Sequence, residues 1–108
     1  MRSKAFNPKE IERAAAEVAG TLRGLANERR LMILCKLVEW GEGTVNSLAE
    51  TVGLSQSALS QHLAKMRQEG LVTYRRESQT LWYRIADPRI EDLLATLHKL
   101  YCKPTNRR

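Results

Sequence analysis

The sequence predicts a mainly α-helical domain carrying one β-hairpin. Three observations predict it. Apolar residues recur at helical spacing along most of the chain, whereas only Leu81–Ala86 alternates clearly in the manner of a strand. Each helical stretch opens on a capping residue and closes near Gly or Pro. At 108 residues, 43% hydrophobic and 28% charged, the chain is long enough for one packed core and too short for two.

Asn7-Pro8-Lys9-Glu10 opens the first helix, with Asn7 as cap and Pro8 at the first helical position. Ile11, Ala14, Ala15, Val18, Ala19 and Leu22 then form a stripe of largely small residues, suited to close packing on its own core or on a second copy. Asn27 caps the second helix, which carries Leu31, Leu34, Cys35 and Val38 inward and stops at Gly41 and Gly43. Val45 is expected to be extended, and Asn46 to cap a short helix from Ser47 to Val52 that ends at Gly53.

Ser55 caps the fourth helix, which runs to about Glu69 and stops at Gly70. Leu59, Leu63 and Met66 share one face. At about 100° per residue, Ser57, Ser60, Gln61, Ala64 and Gln68 gather on the opposite one. That outer face is neutral, polar and short-chained, where an ordinary solvated face would be rich in Lys and Glu. Leu71–Arg76 and Leu81–Ala86 read as two strands joined by Glu77-Ser78-Gln79-Thr80. Asp87-Pro88 repeats the cap-plus-proline device before a last helix with Ile90, Leu93, Leu94, Leu97 and Leu100, ended by Pro104. Residues 1–103 form one domain on this reading, and 104–108 a basic tail.

The order helix, helix, helix, helix, hairpin, helix makes the pair flanking Gly53-Leu54 a helix-turn-helix and the hairpin its wing. Eighteen Lys and Arg against twelve Asp and Glu give a net charge of +6, which attracts polyanions. Major-groove reading needs a helix whose outer side chains are short enough to enter the groove and polar enough to bond base edges. Gln56, Ser57, Ser60 and Gln61 meet both conditions. Lys65 and Arg67 on the same helix, with Arg75, Arg76 and Arg84 on the wing, are the expected phosphate contacts. His62 falls nearer the apolar side, where it serves packing or touches a phosphate. The partner is therefore expected to be double-stranded DNA.

Other classes fit poorly. No apolar run approaches the ~20 residues of a membrane span. Met1-Arg2-Ser3-Lys4 is basic, but no apolar signal-peptide core follows, so a cytoplasmic protein with reduced thiols is expected. There is no Gly-rich phosphate loop and no nucleophile elbow, and His62 and His98 lie on different helices. No catalytic constellation emerges, and no enzyme activity or cofactor is expected. Cys35 and Cys102 are far apart in sequence, with no Cys-x-x-Cys, and the residues alone favour inert packing for each.

Leu25-Ala26-Asn27-Glu28-Arg29-Arg30-Leu31, Leu54 to Leu63 (LSQSALSQHL), Gly70-Leu71-Val72 and Trp82-Tyr83-Arg84-Ile85 resemble the ArsR (arsenic-repressor-type) family of bacterial regulators. The resemblance covers nearly the whole chain. Ile33-Leu34-Cys35 and Leu100-Tyr101-Cys102 are most like its HlyU and BigR group. It implies a homodimeric winged-helix repressor or antirepressor, joined through the first and last helices, in which Cys35 and Cys102 act as a redox or sulfide-sensing pair linked within one chain. The metal-sensing branches place cysteines before the recognition helix, or paired His and acid residues on the last one. Residues 44–52 hold no Cys, and His98 has no His or Asp at i±3 or i±4, so no metal is expected. Metal or metalloid sensing through the two cysteines, and a small thiol oxidoreductase, are the alternatives.

Overall fold

The computed structural model describes residues 7–102. The elements are α1 (Pro8–Leu25), α2 (Glu28–Trp40), α3 (Val45–Val52), α4 (Gln56–Gln68), β1 (Val72–Glu77), β2 (Thr80–Ile85) and α5 (Pro88–Tyr101). The predicted fold class is therefore observed: a mainly helical domain with a hairpin wing. The tail 104–108 lies outside the described residues.

Each helix begins on a side chain that accepts an otherwise unpaired backbone N–H. Asn7 accepts from Lys9, Asn27 from Arg30 and Asp87 from Arg89, all at about 3 Å, as expected. Ser55 accepts from Ala58 at 3.1 Å. The third helix departs from expectation. Its cap is Thr44, whose hydroxyl accepts from Ser47 at 3.2 Å, and Val45 is already helical. The extended residue is instead Gly43. It exchanges two backbone hydrogen bonds with Tyr83 of β2, at 2.8 and 2.9 Å. A Cβ at Gly43 would stand 3.2 Å from both Leu48 and Trp40, so a larger residue fits only if those side chains shift by a few tenths of an ångström.

The core lies among α2, α3, α4 and the inner face of the hairpin. Ile33, Leu34, Leu37, Leu48, Leu59, Leu63 and Met66 are fully buried. The inward face of α4 is thus the one the sequence predicts. The hairpin is antiparallel, with Val72 opposite Ile85, Tyr74 opposite Tyr83 and Glu77 opposite Thr80. That register leaves a turn of only Ser78 and Gln79, with Ser78 at φ 58°. α5 returns across α2, burying Ile90 and Leu94.

α1 is different. It packs substantially on no other element, and of its apolar residues only Leu25 is buried. Ile11, Val18 and Leu22 stay 44%, 39% and 51% exposed. Apart from Leu25, which is buried in the core, its named links to the rest of the protomer are polar: Arg30 Nη1 donates to the Gly24 carbonyl at 2.9 Å, and Arg89 on α5 reaches Glu17 at 2.9 Å.

Candidate nucleic-acid interface

α3 and α4 are locked by Leu48, Ala49 and Val52 against Leu59 and Leu63, all buried. The turn between them is made by Gly53 at φ 74°, with the Leu54 N–H closing on Ala49 O at 3.0 Å. With its leucines inward, α4 turns Gln56, Ser57, Ser60, Gln61, Ala64 and Lys65 to the exterior, every one of them exposed. The structure thus gathers the sequence-predicted reading residues on one surface. His62 is half-buried between the two faces.

The wing does not present its cations as one set. Cross-strand partners share a face, and faces alternate along each strand. Arg75 opposite Trp82, and Arg84 opposite Thr73, lie on the outer side; Arg76 opposite Leu81 lies on the side of Tyr74 and Tyr83. Arg75 is already engaged. Its Nε and Nη2 donate to both carboxylate oxygens of Glu42, at 2.8 and 2.9 Å, and its guanidinium lies 5.6 Å from the Trp82 ring centre. Arg75 hydrogen bonding holds the Glu42 carboxyl below the usual carboxylate range, and the Arg84 charge adds to the effect. Lys65, Arg76 and Arg84 form no ion pair among the described residues. Arg67 lies over the Tyr74 ring at 4.5 Å, bracing the end of α4 against the wing. Glu42 and the Arg67–Tyr74 contact are not foreseen from the sequence; partners this distant carry no local spacing signal.

Cys35 is half-buried and lines a groove of about 650 Å³ between α2, α3 and α5, together with Met32, Val52, Leu94 and His98. Cys102 is exposed and caps α5 one turn beyond His98, donating its N–H to His98 O at 2.8 Å. Both thiols are free, and they do not stand at the disulfide distance that a linked pair requires. The reason is positional: Cys35 is held inside α2, while Cys102 sits past the last turn of α5. They are still neighbours electrostatically. Burial pushes the Cys35 thiol up, and the Cys102 charge adds to the rise, against a lowering by Lys36. Among the described residues no three of His, Cys, Asp and Glu gather as a metal would require, and no helix is long and apolar enough to cross a membrane.

Residues 27–74 match the family model described as bacterial regulatory protein, arsR family. The transcriptional activator HlyU of Vibrio cholerae is 42% identical over 103 residues, 95% of this chain and 94% of that protein. The structure of its reduced form superposes with a TM-score of 0.80 at 44% identity, covering 88% of this chain and 99% of that one. The repressor BigR from Xylella fastidiosa gives a TM-score of 0.83 at 34% identity, over 92% and 100%. A homodimeric winged helix-turn-helix domain, Mb0332 from Mycobacterium bovis, gives 0.73 at 30% identity, over 94% and 92%.

Proposed function

The chain belongs to the arsR family of bacterial regulatory proteins, and from that premise we propose that it is a homodimeric, operator-specific regulator whose DNA affinity is switched by its two thiols. DNA binding in transcriptional control is common ground with its relatives. The finer assignments are these. Gln56, Ser57, Ser60 and Gln61 read base edges. Lys65, Arg76 and Arg84 grip phosphates. α1 and α5 build the dimer seam. Cys35 and Cys102 form the switch, in a cytoplasm that keeps them reduced at rest. The protein represses, or displaces another repressor, according to where its operator lies.

The observation that carries the DNA reading is the outer face of α4, exposed, uncharged up to Ala64 and flanked by cations that form no ion pair among the described residues. Gln61→Ala and Ser57→Ala are expected to weaken a selected operator by ~1–3 kcal/mol each through the missing base-edge hydrogen bonds, with little effect on shuffled duplex. Arg76→Ala and Arg84→Ala are expected to weaken both duplexes alike and to flatten the salt dependence, by about 0.9 in slope for each phosphate no longer neutralised. Fluorescence anisotropy titrations across a salt series separate the two patterns; equal effects of all four substitutions refute the assignment of the reading face.

Arg75 is held by Glu42, so the wing has a charge in reserve. Glu42→Gln is expected to tighten binding to any duplex and to steepen the salt slope by about 0.9 for each arginine released. Weaker binding in the same titration would mean that Glu42 instead holds Arg75 in the pose that meets DNA.

The switch is supported by the arrangement of α2 and α5. Cys35 faces the groove that α5 covers, and Cys102 lies one turn past the His98 that lines it. With peroxide, exposed Cys102 attacks first, giving a sulfenic acid and water. The Cys35 thiolate then attacks the sulfenic sulfur and expels hydroxide, which takes up a proton as a second water, and the disulfide closes. With a persulfide donor, each thiol takes up one outer sulfur and releases the donor's thiol; attack of one cysteine persulfide on the other then leaves one sulfur bridging the pair and expels hydrogen sulfide, with less movement of α5.

A further inference from the structure

Arg30 sits in the first turn of α2 and is nearly enclosed, with its side chain 12% exposed. Its two terminal nitrogens fork onto both carboxylate oxygens of Glu69, at 2.8 and 3.0 Å. The nitrogen nearer Glu69 Oε1 also donates to the Gly24 carbonyl at 2.9 Å. Glu69 is the C-terminal cap of α4, and Gly24 belongs to the last turn of α1. One guanidinium thus joins the recognition helix, the helix behind it and the helix that leads away from the body. α1 and the end of α4 come close here: a Cβ at Gly24 would lie in ordinary contact with Leu71 at 3.4 Å and with Glu69 Oε1 at 3.5 Å. The hydrogen bond from Arg30 holds the Glu69 carboxyl below the usual carboxylate range, so the pair stays charged.

We propose that Arg30 and Glu69 are positioning residues for operator recognition: the fork fixes the roll of α4, and with it the aim of Ser57 and Gln61. Apart from the Arg67 contact with the Tyr74 ring, the remaining hold on α4 is the apolar packing of Leu59, Leu63 and Met66. Such packing is non-directional and tolerates small rotations. Side-chain tips ride roughly 5–6 Å from a helix axis, so a roll of about 10° moves them by about 1 Å. Productive polar contacts hold to about 0.5 Å and 10–20°. A two-point, charge-assisted fork at the end of α4 is directional and removes that freedom. Because it also grips Gly24, a change in the set of α1 is transmitted to the reading face.

The proposal rests on the DNA-reading function above, and the test separates the two. An operator is first selected from random duplexes with the wild-type protein. Its affinity is then compared with that for a shuffled duplex of the same composition, for wild type, Glu69→Gln and Arg30→Lys, with folding checked by circular dichroism. Both variants keep side-chain bulk, and Arg30→Lys also keeps the charge while losing the fork. The ratio of operator to shuffled affinity is expected to fall about tenfold in each, within the ~5–150-fold usual for coupled sites. Affinity for the shuffled duplex is expected to hold within twofold. A ratio that stays at the wild-type value, even with a lowered melting temperature, overturns the proposal and leaves the fork a purely stabilising contact. Parallel weakening on both duplexes overturns it too. If the wild type enriches no duplex at all, the DNA-reading function itself fails, and the positioning role with it.

Discussion

Leu22→Glu is expected to convert the proposed dimer into a folded monomer that no longer holds its operator. Leu22 is 51% exposed on the stripe it shares with Ile11 and Val18, and α1 packs substantially on no element of its own protomer. A helix with a single buried side chain has little to hold it in water, because most helical stability in proteins comes from packing an amphipathic face. A second copy supplying that packing is the proposed role of α1 and α5. Leu100 and Tyr101 extend the exposed apolar surface at the end of α5, at 62% and 80%. A carboxylate placed in such a seam must be desolvated without a partner, which costs several kcal/mol. The domain core contains none of α1 before Leu25 and stays intact. Losing the link between two half-sites removes an avidity gain of about 10²–10⁴. Sedimentation should report a monomer, circular dichroism a helical protein, and anisotropy an operator affinity down by at least two orders of magnitude. Glu12→Gln, on the charged side of α1, should leave all three unchanged. A Leu22→Glu protein that sediments as a dimer and holds its operator would show that the seam lies elsewhere.

Oxidation of the reduced dimer is the second large effect. Peroxide or a persulfide donor is expected to lower operator affinity by roughly 5–150-fold, the ordinary range of coupling between two sites. Intact mass should show two hydrogens removed, or sulfur added, within one chain. The order of events follows from exposure. Cys102 is open to solvent, whereas Cys35 is half-buried and its thiol is pushed up by burial and by the Cys102 charge. A raised thiol holds its proton above the ordinary thiol value, so less nucleophilic thiolate is present at neutral pH. Brief alkylation should therefore mark Cys102 before Cys35, and the closing step should accelerate as pH rises. Closing the bond requires about 4.4–6.8 Å between Cα atoms, and α5 has to move to reach it. Since α5 belongs to the proposed seam, its shift alters the spacing of two recognition helices that must meet half-sites about 34 Å apart. Cys35→Ser and Cys102→Ser should each bind DNA and ignore the oxidant. Release that persists in the double serine variant would falsify the switch.

Much of this molecule is legible in its sequence because the signals are local. Asn7, Asn27, Ser55 and Asp87 cap the helices they precede, and the leucine face of α4 is buried as its spacing requires. The start of α3 is not legible, because its cause is distant. Asn46 looks like a cap, but Thr44 sits where the chain leaves its pairing with β2, and that pairing joins residues forty positions apart. The wing shows the same limit. Strand alternation alone sends the adjacent Arg75 and Arg76 to opposite faces, but the hairpin register that puts Arg84 on the side of Arg75 is not visible, nor is the Glu42 that occupies Arg75. Arg30–Glu69 is invisible for the same reason. The two cysteines carry no shared local signal at all; only family resemblance singles them out, and the fold places them on neighbouring helices.

The bridge between Gly43 and Tyr83 bears on the entropy of binding. A two-stranded hairpin standing alone is marginally ordered at best in water. Here its second strand is sutured to the turn before α3, so the wing's base is fixed to the same body that carries α4. The conformational freedom a loose wing would surrender on meeting the duplex is given up during folding instead. Less of the attraction between its arginines and the phosphates is then spent on ordering, which is the advantage of preorganisation. On the proposed function, helix and wing would approach DNA as a caliper of fixed span, and a groove of the wrong width would be rejected by geometry before any base is read.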